Sequence, residues 1–204
     1  MQKELIYMTK SIDFYFDVIS PYSYIAYKRI KNDYSDNKIK FTLKPILLGG
    51  LHKLAGITAP AFNEFKMLNM KNDCELVAKK NNIDFQWNTN FPINSINIMR
   101  GFILIENQFK EKYLNGFFDA YWKDNNNLSK SENFLHILDN LGFDKANILN
   151  GIQNENIKDQ LKKLTNEAFN KKVFGAPTFI VNNKIFWGQD RLEYAIEEFE
   201  LKFI

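Results

Sequence analysis

Ser20-Pro21-Tyr22-Ser23 has the spacing of a Cys-x-x-Cys pair with a hydroxyl at each cysteine position. Ahead of it runs SIDFYFDVI (Ser11–Ile19), and Pro21 stands where a proline opens a helix, with Ser20 suited to cap it. The junction of a strand with a helix presents free N–H groups and the positive end of the helix dipole, which together favour a thiolate. A serine hydroxyl cannot exchange disulfides. The turn therefore either receives a thiol from outside the chain or only caps a helix. Ser23, one turn further on, reads as structural.

Cys74 is the only cysteine, so an internal disulfide, a dithiol redox pair and a four-cysteine zinc site are all excluded. It lies in the helical pattern KNDCELVAKK and reads as a small buried residue. His52 and His136 stand far apart without companion ligands at metal-binding spacing, so no metal is expected. No Gly-rich phosphate cradle occurs, so no nucleotide cofactor is expected.

The elements that must hold this turn follow from periodicity. Ser11–Ile19 mixes β-branched and aromatic residues and suits a strand buried on both faces. A helix follows from Pro21, and Lys38–Leu47 alternates and then turns apolar, giving a second strand. From Gly49 to about Lys172 the apolar spacing is helical, most clearly over Phe62–Asn81, Ile96–Tyr113 and Asn156–Asn170. Val173 onward returns to strand chemistry, two apolar runs flanking Asn182–Asn183 as a tight hairpin. Asp190 and Glu193 have capping-box spacing before a last helix with Leu192, Ala195, Ile196 and Phe199 on one face.

Neither end supplies enough strands alone, so pairing both ends in one sheet is the economical arrangement. The expectation is an α/β, thioredoxin-like fold with a long all-helical insertion, as in DsbA-like proteins. Residues 11–48 and 173–204 would form the thioredoxin-like domain, and 49–172 the insertion.

The chain has 204 residues, 45% hydrophobic and 25% charged, which excludes wholesale disorder and collagen. A net charge of +3 is too weak and dispersed for a nucleic-acid footprint. No run approaches the ~18 apolar residues of a membrane span, and MQKELIYMTK lacks a signal peptide's apolar stretch. A cytoplasmic protein with no membrane or nucleic-acid partner is expected.

DFYFDVISPYSYIA (Asp13–Ala26) resembles the opening of 2-hydroxychromene-2-carboxylate isomerases and kappa-class glutathione transferases, and FGAPTFIVNNKIFWGQDRLE (Phe174–Glu193) resembles their C-terminal signature. Phe65-Lys66, Asn72-Asp73 and FPINSINIMRG (Phe91–Gly101) match between them in order and spacing, so the resemblance spans Ser11 to Phe199. It implies glutathione as cofactor, with Ser20 as the catalytic hydroxyl donating to its sulfur. A free thiol of pKa ~8.5 is only slightly ionised at neutral pH, so a donor and a helix terminus are needed to make a nucleophile.

The resemblance further implies a cis Pro177 beside the sulfur, turning the Ala176 backbone toward the tripeptide as an added strand would. Gln189, Asp190 and Arg191 would receive the γ-glutamyl end, although Asp190 reads equally as a helix cap and Arg191 as a surface ion pair. Lys66 would meet the glycyl carboxylate. Tyr22 and Asn94 would face the substrate, with Asn94 equally a cap of the next helix. Tyr24 and Trp87 are further candidate aromatic walls, and Asp17 is placed to orient backbone or water. One departure stands out: Ile57 follows Gly56 where the family commonly has asparagine.

The implied reaction is glutathione-dependent isomerisation of an aromatic carboxylate by reversible thiolate addition, in a homodimer. The alternatives are a kappa-class-like glutathione transferase or peroxidase using the same site, and a non-catalytic DsbA-like protein that binds thiol peptides.

Overall fold

The computed structural model describes residues 11–34 and 38–201. The first ten residues, on which the leader-peptide expectation rests, lie outside these, as do residues 202–204 of the expected C-terminal segment. Strand β1 (Ile12–Phe16) leads into helix α1 (Pro21–Asp33) and strand β2 (Phe41–Pro45). Both strands are shorter than the sequence suggests. The residues between Phe16 and Ser20 form the bend into α1, and those after Pro45 lead into helix α2 (Leu48–Ala55).

The middle is helical: α3 (Glu64–Lys80), α4 (Ile96–Leu104), α5 (Lys110–Trp122), α6 (Ser131–Asn140), α7 (Lys145–Gly151) and α8 (Glu155–Asn170). The single helix expected over Ile96–Tyr113 is two helices, because α4 stops at Leu104 and a 3-10 turn at Asn107–Phe109 redirects the chain into α5. Apolar periodicity continues across this break because both helices bury their apolar sides in one core, which hides the corner from a pattern argument. The Gly101 surface helps: the Tyr113 hydroxyl packs where a Cβ would sit and donates to the Ile98 carbonyl at 2.9 Å.

Strands β3 (Thr178–Val181) and β4 (Lys184–Trp187) close the sheet in the order β2-β1-β3-β4, with β1–β2 parallel and the other pairs antiparallel. Both ends of the chain thus share one mixed sheet. Asn182 and Asn183 take φ of 52° and 62°, the left-handed conformation that two-residue hairpins require and asparagine tolerates. Helix α9 (Leu192–Glu200) buries Leu192, Ala195, Ile196 and Phe199, the expected face. Its start differs from the expectation. A 3-10 turn, Gln189–Arg191, precedes it and neither segment has a side-chain cap, so Asp190 does not cap α9.

Alternation along β1 divides the core. Ile12, Phe14 and Phe16 enter a large aromatic cluster with Phe179, Phe102 and Phe118. Tyr15 points to the other face, where a smaller cluster holds Ile46, Leu51, Ala168, Val173 and Ala176. Among the described residues no helix is long and apolar enough to cross a membrane.

Candidate functional site

Ser20 caps α1, accepting a bond from the Ser23 N–H at 3.1 Å, and donates to the Ala176 carbonyl at 2.9 Å. The cap and the link across 156 residues coexist, so the turn after β1 is held against the loop before β3. In that loop the Ala176–Pro177 peptide is cis, as the resemblance implies. Ser23 is fully buried, and its hydroxyl has no hydrogen-bond partner among the described residues.

Ser20 is 3% exposed at the edge of a cavity of about 570 Å³, within the range that holds small-molecule ligands. Tyr22, Lys66, Asn94 and Ala176 line the same cavity, so five of the residues singled out from the sequence converge there. Tyr22 presents its ring while its hydroxyl donates to Asp73 on α3 at 2.8 Å. Burial and Asp73 push that phenol far up, so it stays protonated. Asn94 lines the cavity, and its Oδ1 accepts from the Ile96 N–H at 3.0 Å, while the N-cap position of α4 itself is Ser95.

Gln189, Asp190 and Arg191 are not among the residues that line the cavity. Gln189 is buried, its carbonyl and Oε1 accepting from Arg29 at 2.9 and 3.2 Å, and Arg29 also pairs with Glu193. Asp190 and Arg191 are exposed and pair with each other at 3.6 Å. Tyr24 and Trp87 are not cavity walls. Tyr24 is fully buried, with its hydroxyl donating to the Asp84 carbonyl at 2.5 Å, and Trp87 packs edge-on against Phe91 and at a tilt against Trp122. Aromatic residue type alone does not reveal which rings face a cleft.

Beside Tyr22, the aromatic lining comes from Phe62, Phe91, Phe174 and Trp187. Trp187 ends β4, packs on Phe174 with ring centres 4.9 Å apart, and lies over Gly175, where a Cβ would meet its Nε1 at 2.5 Å. The glycine in the FGAPT sequence is the signal that was available: it marks a close approach to backbone.

Asp17 organises the surroundings of Ser20. Fully buried, it accepts from the Ile19 N–H (3.2 Å), the Leu48 N–H (2.8 Å) and the Ser95 hydroxyl (3.0 Å). One carboxylate thus joins the end of β1, the start of α2 and the start of α4, and it does orient backbone as expected. Burial raises its pKa to about 6, against the opposing effect of those hydrogen bonds. Trp122 adds a second clamp, its indole N–H donating to the Val18 carbonyl at 2.8 Å.

Chemically, the site offers a hydroxyl and a helix N-terminus with no acidic residue in its first turn, beside a backbone segment and an apolar space with one cation. Lys66 is exposed at the cavity edge and pairs with no acid among the described residues. Cys74 is buried on α3, where burial raises its thiol far above the usual range. Among the described residues no group of three or more His, Cys, Asp or Glu is arranged to hold a metal.

The sequence pattern of the DSBA-like thioredoxin domain matches residues 11–199. A 2-hydroxychromene-2-carboxylate isomerase of Sphingobium xenophagum is 26% identical over 189 residues, covering 92% of this chain and 96% of that protein. Glutathione S-transferase kappa 1 of Rattus norvegicus is 24% identical, covering 89% of this chain and 87% of its own. A solved structure of a 2-hydroxychromene-2-carboxylate isomerase superposes with a TM-score of 0.83 at 24% identity, covering 94% and 95% of the two chains.

Proposed function

As the chain belongs to the family of DSBA-like thioredoxin domains and its relatives are named as isomerases and glutathione transferases, we propose that it is a glutathione-dependent isomerase of the 2-hydroxychromene-2-carboxylate type. One observation carries the reading: Ser20, at the N-terminus of α1 and bonded to Ala176, opens onto an apolar cavity large enough for a tripeptide thiol beside a flat substrate.

In this reading the glutathione backbone pairs with Ala176, Lys66 meets its glycyl carboxylate, and the γ-glutamyl end reaches toward Gln189, Asp190 and Arg191. The Ser20 hydroxyl rotates from the Ala176 carbonyl to donate to the sulfur. That donor and the helix terminus hold the thiolate. The thiolate adds to the carbon-carbon double bond conjugated with the substrate ketone, and the electron pair moves onto the carbonyl oxygen as an enolate. The former double bond rotates as a single bond. Collapse of the enolate restores the double bond in the new geometry and expels the thiolate, so glutathione is used and not consumed. Tyr22, Phe91 and Trp187 supply walls for the ring, and Asn94 a polar contact.

The similarity to a kappa-class transferase at nearly the same identity supports a second reading, in which the adduct is released as product. Incubation with 2-hydroxychromene-2-carboxylate and limiting glutathione separates the two. Many turnovers per glutathione are expected; one glutathione lost per product would replace isomerase by transferase, and no reaction would remove both.

A homodimer fits the surface. Phe65, Leu68 and Leu76 form an exposed stripe on α3 with Phe62 beside it, 82%, 56%, 66% and 76% accessible, larger apolar exposure than scattered surface residues give. A thiol cofactor held by a chain with one buried cysteine fits a reducing cytoplasm.

A further inference from the structure

The cavity holds an imidazole that the reading above leaves without a task. His52 lies on α2 one helical turn beyond Leu48, whose N–H is fixed by Asp17 at 2.8 Å. Four residues at ~1.5 Å rise place it about 6 Å along the helix from that clamp, and the clamp is three residues from Ser20. Gly49, between Leu48 and His52, also lines the cavity, and a Cβ there would meet nothing within 4 Å, so this stretch of wall stands open. The imidazole is half-buried, lines the cavity and has no hydrogen-bond partner among the described residues. Tyr22 and Lys66 are the other ionisable residues of the lining, and the Tyr22 hydroxyl is already bonded to Asp73. Burial, with no charged neighbour contributing, lowers the His52 pKa. At neutral pH the ring is uncharged and can both accept and donate a proton.

A hydroxychromene carboxylate in its closed form is a cyclic hemiketal. Its C2 is saturated, so no ketone is conjugated with the double bond and a thiolate has nothing to add to. Opening must precede addition.

We propose, on the basis of the isomerase reading, that His52 binds the hydroxyl of an aromatic hydroxy-carboxylate and opens the hemiketal as general base and acid. One imidazole nitrogen takes the proton of the C2 hydroxyl, and the O–H electron pair becomes the second bond of a carbonyl. The bond from C2 to the ring oxygen breaks, and its electron pair stays on that oxygen. The ring oxygen then takes the proton from the imidazolium. A phenol and a conjugated keto acid result, nothing is oxidised or reduced, and His52 returns to its neutral form. His52 is thus assigned to opening and Ser20 to the thiolate.

The test uses two stable probes, 2-hydroxycinnamate and cinnamate, titrated by tryptophan fluorescence into wild type, His52→Phe and His52→Gln with glutathione present. The expected result is a preference for the hydroxylated probe of ~10-fold in wild type that disappears in His52→Phe. Turnover of hydroxychromene carboxylate should fall by ~100-fold in His52→Gln, the lower end of what general acid-base catalysis contributes. The glutathione thiolate absorbance should be unchanged in both variants. Equal affinity for the two probes in wild type, or a preference that survives in both variants, would overturn the proposal. A wild type that raises no thiolate band would instead sink the isomerase reading, while the probe pair would still decide whether His52 receives the hydroxyl.

Discussion

Ser20 and Lys66 face the same cavity from walls held in different ways. Around Ser20 nearly every polar group is buried and paired: Ser20 to Ala176 and Ser23, Asp17 to Ile19, Leu48 and Ser95. Around Lys66 the side chains are exposed. Phe62, Phe65 and Ile57 stand in solvent, and the hydrogen bond there joins the Lys66 backbone N–H to Asn63 at 3.0 Å as the α3 cap. A reacting sulfur needs fixed donors, since misplacement by about 1 Å is costly in rate. Substrate and cofactor ends need only complementary surface. Under the proposed function, the chemistry falls to the paired wall and affinity or substrate choice to the exposed one.

Breaking the paired wall should cost most. In Ser20→Ala, turnover at saturating glutathione should fall by ~10²- to 10³-fold, the loss expected for one donor to a developing anion. A change below tenfold in steady-state assay would dissolve the distinction between the walls. Asp17→Ala leaves three donors facing an empty site, each worth roughly 1–3 kcal/mol when unpaired, so the variant should lose about 3 kcal/mol or more in urea unfolding. An unchanged midpoint would show that the three elements are held by other contacts.

Asp17 also sets a pH dependence. Its folded pKa of about 6 lies above the model-compound value of 3.8, so the folded state binds its proton more tightly than the unfolded chain. Its contribution is fully present below about pH 4 and is lost as pH rises through about 6. The stability difference between wild type and Asp17→Asn should therefore shift against wild type across that window. A difference that stays flat would mean that the carboxylate is not held as described.

Gly175→Ala forces the new methyl into Trp187, which should cost ~1–3 kcal/mol as overpacking does. Glutathione or substrate affinity should weaken with it, because Trp187 forms part of the lining. Lys66→Ala should have the smallest effect: about a fivefold rise in the glutathione Kd, diminishing in high salt, with kcat little changed. A large loss of kcat there would move Lys66 into the chemistry and blur the contrast.

The paired wall was also the more legible from sequence. The β-branched and aromatic run of Ser11–Ile19, with Pro21 and Ser20, places the turn, and the apolar run after Val173 places the strand whose pairing with β1 brings Ala176 back to it. What escaped detection depends on approach between distant segments. Trp187 becomes a wall only because Gly175 lets it close over the loop, and Tyr24 is withdrawn because its hydroxyl donates to the Asp84 carbonyl at 2.5 Å. The break between α4 and α5 was hidden because apolar spacing reports which residues are buried, not whether the helix axis turns. Asp190 looked like a cap because its spacing to Glu193 is correct, yet Glu193 is engaged by Arg29 on α1.

Under the proposed function, Ser20 and the α1 terminus lower the pKa of a bound thiol. Ultraviolet difference spectroscopy of glutathione titrated into wild type and Ser20→Ala tests it directly. A saturable thiolate band at neutral pH in the wild type, weakened in the variant at equal occupancy, is the expected result. Saturable binding with no thiolate band in either protein, or the same band in both, would contradict it.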